Sequence, residues 1–139
     1  MIKPVIVDTG PLVAILREGD EHHERCVAAL KEVAKPLLTC WPVITEAAWL
    51  LQNDASGVEN LFRILQSDAV RVVELDEKAV SWVRGFLARY SSIRAQVADA
   101  ALMYLAEQRG VERILTLDRR DFSVYRTAAG KGLQLLPAT

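Results

Sequence analysis

The sequence predicts an α/β protein, a three-layer α/β/α sandwich with a four- or five-stranded parallel sheet. Short runs of β-branched and apolar residues alternate with longer segments of helical periodicity, an order typical of parallel strands joined by crossover helices. The 139 residues contain no linker rich in proline, glycine or serine and no internal repeat. We therefore expect one domain, residues 1–139.

The first half of the chain predicts two strands and four helices. Pro11 and Pro42 suit the first turns of two helices. The segment after Pro11 is apolar all round, so its helix is expected to be buried. The strands are predicted at residues 5–7 and 37–39, and the helices at 12–16, 21–33, 43–51 and 58–66.

The second half predicts three strands and two helices. Asp76 is expected to cap a helix with a wide apolar stripe, and Gly110 is expected to end the helix that follows. The strands are predicted at residues 70–73, 113–116 and 133–136, and the helices at 76–90 and 96–109.

Charge and hydropathy exclude several classes of protein. Seventeen lysine and arginine residues against 18 aspartate and glutamate residues give a formal net charge of −1, which excludes a basic coat for duplex DNA. No apolar run approaches the roughly 18 residues of a membrane span, and no signal-peptide pattern opens the chain. Two cysteines are too few for a disulfide scaffold. We expect a cytoplasmic protein with no membrane association.

Asp8 directly follows the first predicted strand. The carboxyl ends of parallel strands are where ligands bind in open α/β folds. Asp8 could equally cap the helix that opens near Pro11, and its position alone leaves both roles open.

Glu46 lies within an apolar helical pattern, beside Val43, Trp49 and Leu50 at helical spacing. Because an unpaired buried carboxylate is costly, Glu46 must reach water, a cation or a hydrogen-bond donor. A surface position explains it simply, and a role as metal ligand is the functional alternative.

Asp99 and Asp118, like Asp8, lie near the start of a predicted helix or the end of a predicted strand. Asp99 lies near the start of its helix, where it could serve only as a partner of the helix dipole. Asp118 follows the fourth predicted strand and could be an ordinary turn residue.

Together these acids predict a metal site. If the strands before Asp8 and Asp118 are neighbours, both acids and Asp99 converge on one rim, and Glu46 reaches in from the helix after the second strand. Carboxylates about 4 Å apart repel by roughly 4 kcal/mol per pair at an effective dielectric near 20. Such a cluster requires a cation, and oxygen ligands alone favour Mg²⁺ or Mn²⁺. The number of ions stays open.

A carboxylate-held Mg²⁺ that activates water points to phosphodiester hydrolysis. Residues 109–139 contain six basic and three acidic side chains. Arg119 and Arg120, next to Asp118, could hold flanking phosphates of an RNA or serve only solubility.

Four segments resemble motifs of the PIN-domain family, and most closely the VapC-type toxins of bacterial and archaeal toxin–antitoxin pairs. They are IVDTGPL at residues 6–12, VITE at 43–46, ADA at 98–100 and LTLDRRDF at 115–122. Each motif is short, but their order and spacing cover essentially the whole chain.

The resemblance implies a metal-dependent endoribonuclease of PIN-like fold. It implies supporting roles for Thr9, Thr116 and Asp121, and it places Gly10 where many members have a second serine. An RNA substrate, a cognate antitoxin and a homodimer are the partners it implies. The implied catalytic and metal-binding acids are Asp8, Glu46, Asp99 and Asp118.

Two alternatives remain open at this point. One is a PIN fold that binds RNA or serves as a scaffold without cleavage, although the complete set of acids disfavours it. The other is a receiver-like regulatory domain, which would need a lysine at a later strand end that this chain lacks.

Overall fold

The computed structural model describes residues 3–138, which surround a five-stranded parallel sheet. Residues 1, 2 and 139 of the predicted domain lie outside the described residues. The strands are β1 Val5–Val7, β2 Leu37–Thr39, β3 Val70–Val72, β4 Arg113–Leu115 and β5 Gln134–Leu136. Their order is β3-β2-β1-β4-β5, with every neighbouring pair parallel. β1 is therefore central and β4 lies beside it, as convergence of Asp8 with Asp118 requires.

Helices connect these strands and complete the three-layer α/β/α fold that the sequence predicts. Their bounds are α1 Thr9–Leu16, α2 His23–Glu32, α3 Trp41–Leu51, α4 Gly57–Gln66, α5 Ala79–Arg89, α6 Val97–Arg109 and α7 Arg119–Phe122. The six longer helices confirm the prediction, with ends that differ by a few residues. Helix α7 and a 3₁₀ turn at Ser91–Ile93 are additional elements.

Helix α6 is buried over most of its length, more fully than its predicted apolar face implies. Side chains on all sides of the helix are buried, from Ala98 to Ala106 with Asp99 partly exposed. Alanine at several of these positions lets α6 approach its neighbours closely, and α6 contacts both α3 and α5. The acid in its first turn is therefore carried by one of the most tightly enclosed elements of the fold.

The start of α5 corrects one sequence prediction. Asp76 does not cap this helix, which begins at Ala79 after Lys78. The Asp76 carboxylate accepts hydrogen bonds from the backbone N–H of Lys78, at 3.1 Å, and from the hydroxyl of Tyr104. Asp76 thus closes a turn on its own backbone, a bond that competes with helix capping.

Both cysteines are buried as free thiols, in agreement with the absence of a disulfide scaffold. Burial raises the pKa of the Cys40 thiol to about 12, so it stays protonated. No helix within residues 3–138 is long and apolar enough to cross a membrane.

Gly57 at the start of α4 provides a test of how closely α4 packs against the end of α3. A β-carbon there would lie 2.7 Å from the carbonyl oxygen of Leu51, whereas one at Gly85 in α5 would meet nothing within 4 Å. We expect Gly57→Ala to lower the free energy of unfolding by about 1–3 kcal/mol through overpacking. Gly85→Ala should raise it by up to about 1 kcal/mol through helix propensity. Urea unfolding followed by tryptophan fluorescence measures both, and effects of the same sign would contradict the packing described.

Candidate active site

Asp8 joins β1 to α1 and has the capping role that the sequence allows. It is the N-cap of α1, where its Oδ1 accepts the backbone N–H of Thr9 at 2.8 Å. Its Oδ2 accepts the hydroxyl of Thr116 at 2.8 Å. Only 7% of the residue is exposed, and burial raises its pKa from 3.8 to about 7 against the effect of these two hydrogen bonds. The charges of Asp99 and Glu46 raise the pKa further.

Thr116 connects Asp8 to the other side of the site. Its buried hydroxyl donates to Asp8 and accepts the backbone N–H of Asp118 at 3.0 Å. Because β1 and β4 are neighbours, this one hydroxyl fixes the first acid relative to the turn that carries the last. Thr116, for which the family resemblance implies a supporting role, therefore links the Asp8 carboxylate to the backbone of Asp118.

Helix α7 brings Asp118 and Asp121 close together. Asp118 is the N-cap of this helix, and its Oδ1 accepts the backbone N–H of Asp121 at 3.1 Å. One oxygen from each of these two acids and one from Asp99 lie within 4.8 Å of one another. Burial raises the pKa of Asp121, and the neighbouring charge of Asp118 adds to the increase. Asp121 thus belongs to the tightest cluster of acids, although the sequence suggests only a supporting role.

Asp99 approaches this cluster from the first turn of α6. Its Oδ2 accepts the hydroxyl of Tyr125 at 2.9 Å. Burial raises the pKa of Asp99, while hydrogen bonds from Tyr125 and from the backbone N–H of Gln96 lower it. The charges of Asp118 and Glu46 raise it again, so the negative charges of the site act on one another.

The five acids share one open pocket of about 610 Å³. Asp8, Glu46, Asp99, Asp118 and Asp121 all contribute to its lining. Glu46 lies on α3 and is exposed, whereas Asp8 is buried at the back of the pocket. The structure therefore brings together every acid that the sequence singles out.

The donor set of this pocket fits a hard divalent cation. Among the described residues, no lysine, arginine or histidine forms an ion pair with any of the five carboxylates. Thr9 also lines the pocket, and its Oγ1 is buried without a hydrogen-bond partner in residues 3–138. A crowded set of carboxylates beside an unpaired hydroxyl is stabilised by a cation that brings its own water ligands.

The basic residues predicted to bind RNA lie outside this pocket. Arg119 and Arg120 are exposed on α7, and the guanidinium of Arg119 donates to the carbonyl of Pro137. Arg94 lines the pocket instead, in a left-handed conformation with φ of 57° directly after the 3₁₀ turn. Neither Arg94 nor Tyr125 is indicated by the motifs, because only the fold brings them to the acids.

A family model described as PIN domain matches residues 5–128. The chain belongs to the PIN-domain family. The matched range includes all five acids of the pocket and confirms the family that the sequence motifs resemble.

Two proteins of Mycobacterium tuberculosis are similar to this PIN domain, one in sequence and one in fold. Ribonuclease VapC26 of strain H37Rv is 26% identical over 136 residues, which cover 96% of this chain and 100% of the relative. The crystal structure of VapC20, named a toxin that cleaves the sarcin–ricin loop, superposes with a TM-score of 0.78 at 18% identity. That match covers 86% of this chain and 94% of VapC20, and it confirms the α/β fold.

The raised pKa of Asp8 predicts a pH dependence of stability. Between about pH 4 and pH 7 the folded PIN domain keeps a proton on Asp8 that the unfolded chain releases. In the absence of metal, the free energy of unfolding should therefore fall as the pH rises through this window, by on the order of a few kcal/mol. Asp99, whose pKa is also raised, acts in the same direction.

Urea unfolding in EDTA at a series of pH values measures this slope. Asp8→Asn is the matched variant, because asparagine still caps α1 but does not titrate. We expect a shallower slope in this variant, and a slope equal to that of the wild type would contradict the role of Asp8.

Proposed function

We propose that this PIN domain is an endoribonuclease that requires Mg²⁺ or Mn²⁺ and acts as the toxin of a toxin–antitoxin pair. The observation that carries the proposal is the convergence of five carboxylates on one open pocket, none of them in an ion pair with a basic side chain of residues 3–138. The names of the two similar M. tuberculosis proteins, a ribonuclease and a toxin that cleaves the sarcin–ricin loop, support it. An RNA substrate also favours the cytoplasmic location expected from the sequence.

The ligands of the proposed metal are Asp99, Asp118 and Asp121, with Asp8 and Glu46 facing the same pocket. A divalent ion bound there supplies an activated water and neutralises charge on the phosphate. Hydrogen bonds from Thr9 and Thr116 hold Asp8, so it provides a carboxyl group in a fixed position at the back of the pocket.

Two hydroxyl groups in this region have different tasks. The Thr116 hydroxyl donates to Asp8 and accepts from the backbone of Asp118, so its task is to maintain their positions. Thr9 lines the pocket, and its hydroxyl is buried without a hydrogen-bond partner among residues 3–138. A buried hydroxyl without a partner is costly, so binding of a cation with its water ligands next to Thr9 would offer it a partner.

Phosphate binding requires positive charge near the acids. Arg94 is the arginine that lines the pocket, at its exposed rim. Arg119 and Arg120 extend from α7, the helix that Asp118 caps. We assign Arg94 to the phosphate in the pocket and the α7 pair to flanking phosphates of a single-stranded RNA.

RNA cleavage by the purified protein tests this function. We expect cleavage with Mg²⁺ or Mn²⁺ and none in EDTA, since water activation depends on the ion. Asp118→Asn should reduce the rate by at least about 100-fold because it removes a ligand charge. Glu112→Gln, a change at an exposed acid just before β4, is the matched control and should cleave as the wild type does.

The outcome separates the alternatives. Undiminished cleavage by Asp118→Asn would overturn the proposed site. RNA that binds with a strong salt dependence but stays intact with Mn²⁺ would identify a non-catalytic PIN fold instead.

We extend the proposal to a protein antitoxin and to a homodimer. Apolar side chains beside the acids support a protein partner, since Trp41 and Trp49 are 48% and 69% exposed in a groove that shares Glu46 and Arg94 with the pocket. Aromatic residues of this kind are enriched where proteins associate.

A growth assay tests the toxin role. Expression of the wild-type chain in a bacterium should arrest growth, and Asp118→Asn, at equal protein levels, should not, because arrest follows from RNA cleavage. Co-expression of the neighbouring reading frame, the candidate antitoxin gene, should restore growth to cells that express the wild-type chain. Arrest by the Asp118→Asn variant would contradict toxicity through RNA cleavage.

A further inference from the structure

Tyr125 lies behind the acidic pocket, and the motifs of the sequence do not include it. It is fully buried, with 0% of its surface exposed, and it follows α7 by three residues. Its hydroxyl donates to Oδ2 of Asp99 at 2.9 Å. Tyr125 does not line the pocket itself, so it reaches Asp99 from the protein interior.

The ring of Tyr125 is fixed by other aromatic rings. Its centroid lies 5.0 Å from that of Phe86, 5.1 Å from that of Tyr90 and 5.1 Å from that of Phe122, all in edge-to-face contact. Such contacts restrict both side-chain torsions of a buried tyrosine. The hydroxyl is therefore presented to Asp99 in one direction.

The backbone of Tyr125 is tied to the second half of the acidic cluster. Its N–H donates to the carbonyl of Asp121 at 3.1 Å. Asp99 is on α6, whereas Asp118 caps α7 and Asp121 lies on it, so these two helices must keep a fixed relative position for the three carboxylates to meet. Tyr125 bonds to both parts, and its hydroxyl supplies the bond to the Asp99 side chain.

We propose that Tyr125 is a positioning residue that orients the Asp99 carboxylate for binding of a divalent cation together with Asp118 and Asp121. This inference rests on the metal site of the proposed function. A donor behind a ligand carboxylate fixes its rotamer and preserves its charge, and loss of such a partner typically lowers metal affinity by about 10- to 100-fold.

Tyr90 provides a matched control within the same aromatic cluster. It is 8% exposed, and its hydroxyl accepts the backbone N–H of Arg126 at 2.9 Å. Tyr90→Phe and Tyr125→Phe each remove one buried hydroxyl from neighbouring rings. Of these two hydroxyls, that of Tyr125 bonds to an acid of the pocket, and that of Tyr90 bonds to the backbone.

The experiment measures Mn²⁺ binding to the full chain by calorimetry or by the electron paramagnetic resonance signal of free Mn²⁺. Tyr125→Phe should weaken Mn²⁺ binding by about 10- to 100-fold, and Tyr90→Phe should change it by less than about 3-fold. Thermal unfolding in EDTA verifies that both variants are folded at the binding temperature. RNA cleavage by Tyr125→Phe should fall at limiting Mn²⁺ and recover at saturating Mn²⁺, a rescue that a general packing defect would not show.

Wild-type Mn²⁺ affinity in Tyr125→Phe would overturn the inference, and so would equal losses in the two variants. A wild-type chain that binds no Mn²⁺ would overturn it together with the metal site. A wild-type chain that binds Mn²⁺ but leaves RNA intact would refute the proposed function alone, since the affinities of the two variants would still decide the role of Tyr125.

Discussion

The crowding of negative charge at one rim of the sheet is the constraint on which this structure depends. Five carboxylates share a pocket, and burial raises the pKa of Asp8, Asp99 and Asp121. The fold offsets this cost with neutral donors, namely backbone N–H groups and the hydroxyls of Thr116 and Tyr125. Donors without charge hold the acids in place and leave their negative charge available to a cation.

Each acid is also attached to a rigid part of the fold. Asp8 caps a buried helix and Asp118 caps a short one, while Asp99 lies in the first turn of the enclosed helix α6. Helix N-termini favour negative charge, so the starts of these helices supply part of the stabilisation. Glu46, on the exposed face of α3, is the acid with the greatest freedom to adjust to a ligand.

The fold and the acid set could largely be predicted because both depend on local patterns. The alternation of strands and helices predicts a parallel sheet. Asp8 and Asp118 follow two strands of this sheet and therefore lie at the same edge. Helix α7 has only four residues, too few for a periodic pattern to reveal it, and Asp121 joins the cluster only through that turn. Tyr125 reaches Asp99 through tertiary packing alone, and Asp76 bonds to its own turn where a helix cap was expected.

The double use of Asp8, as helix cap and as pocket acid, has an evolutionary consequence. Asparagine caps helices about as well as aspartate does, and a single nucleotide change converts one codon into the other. Such a substitution removes the charge and keeps the bond to Thr9 that begins α1. Descendants with one negative charge fewer in the pocket and an intact start of α1 are therefore one mutational step away.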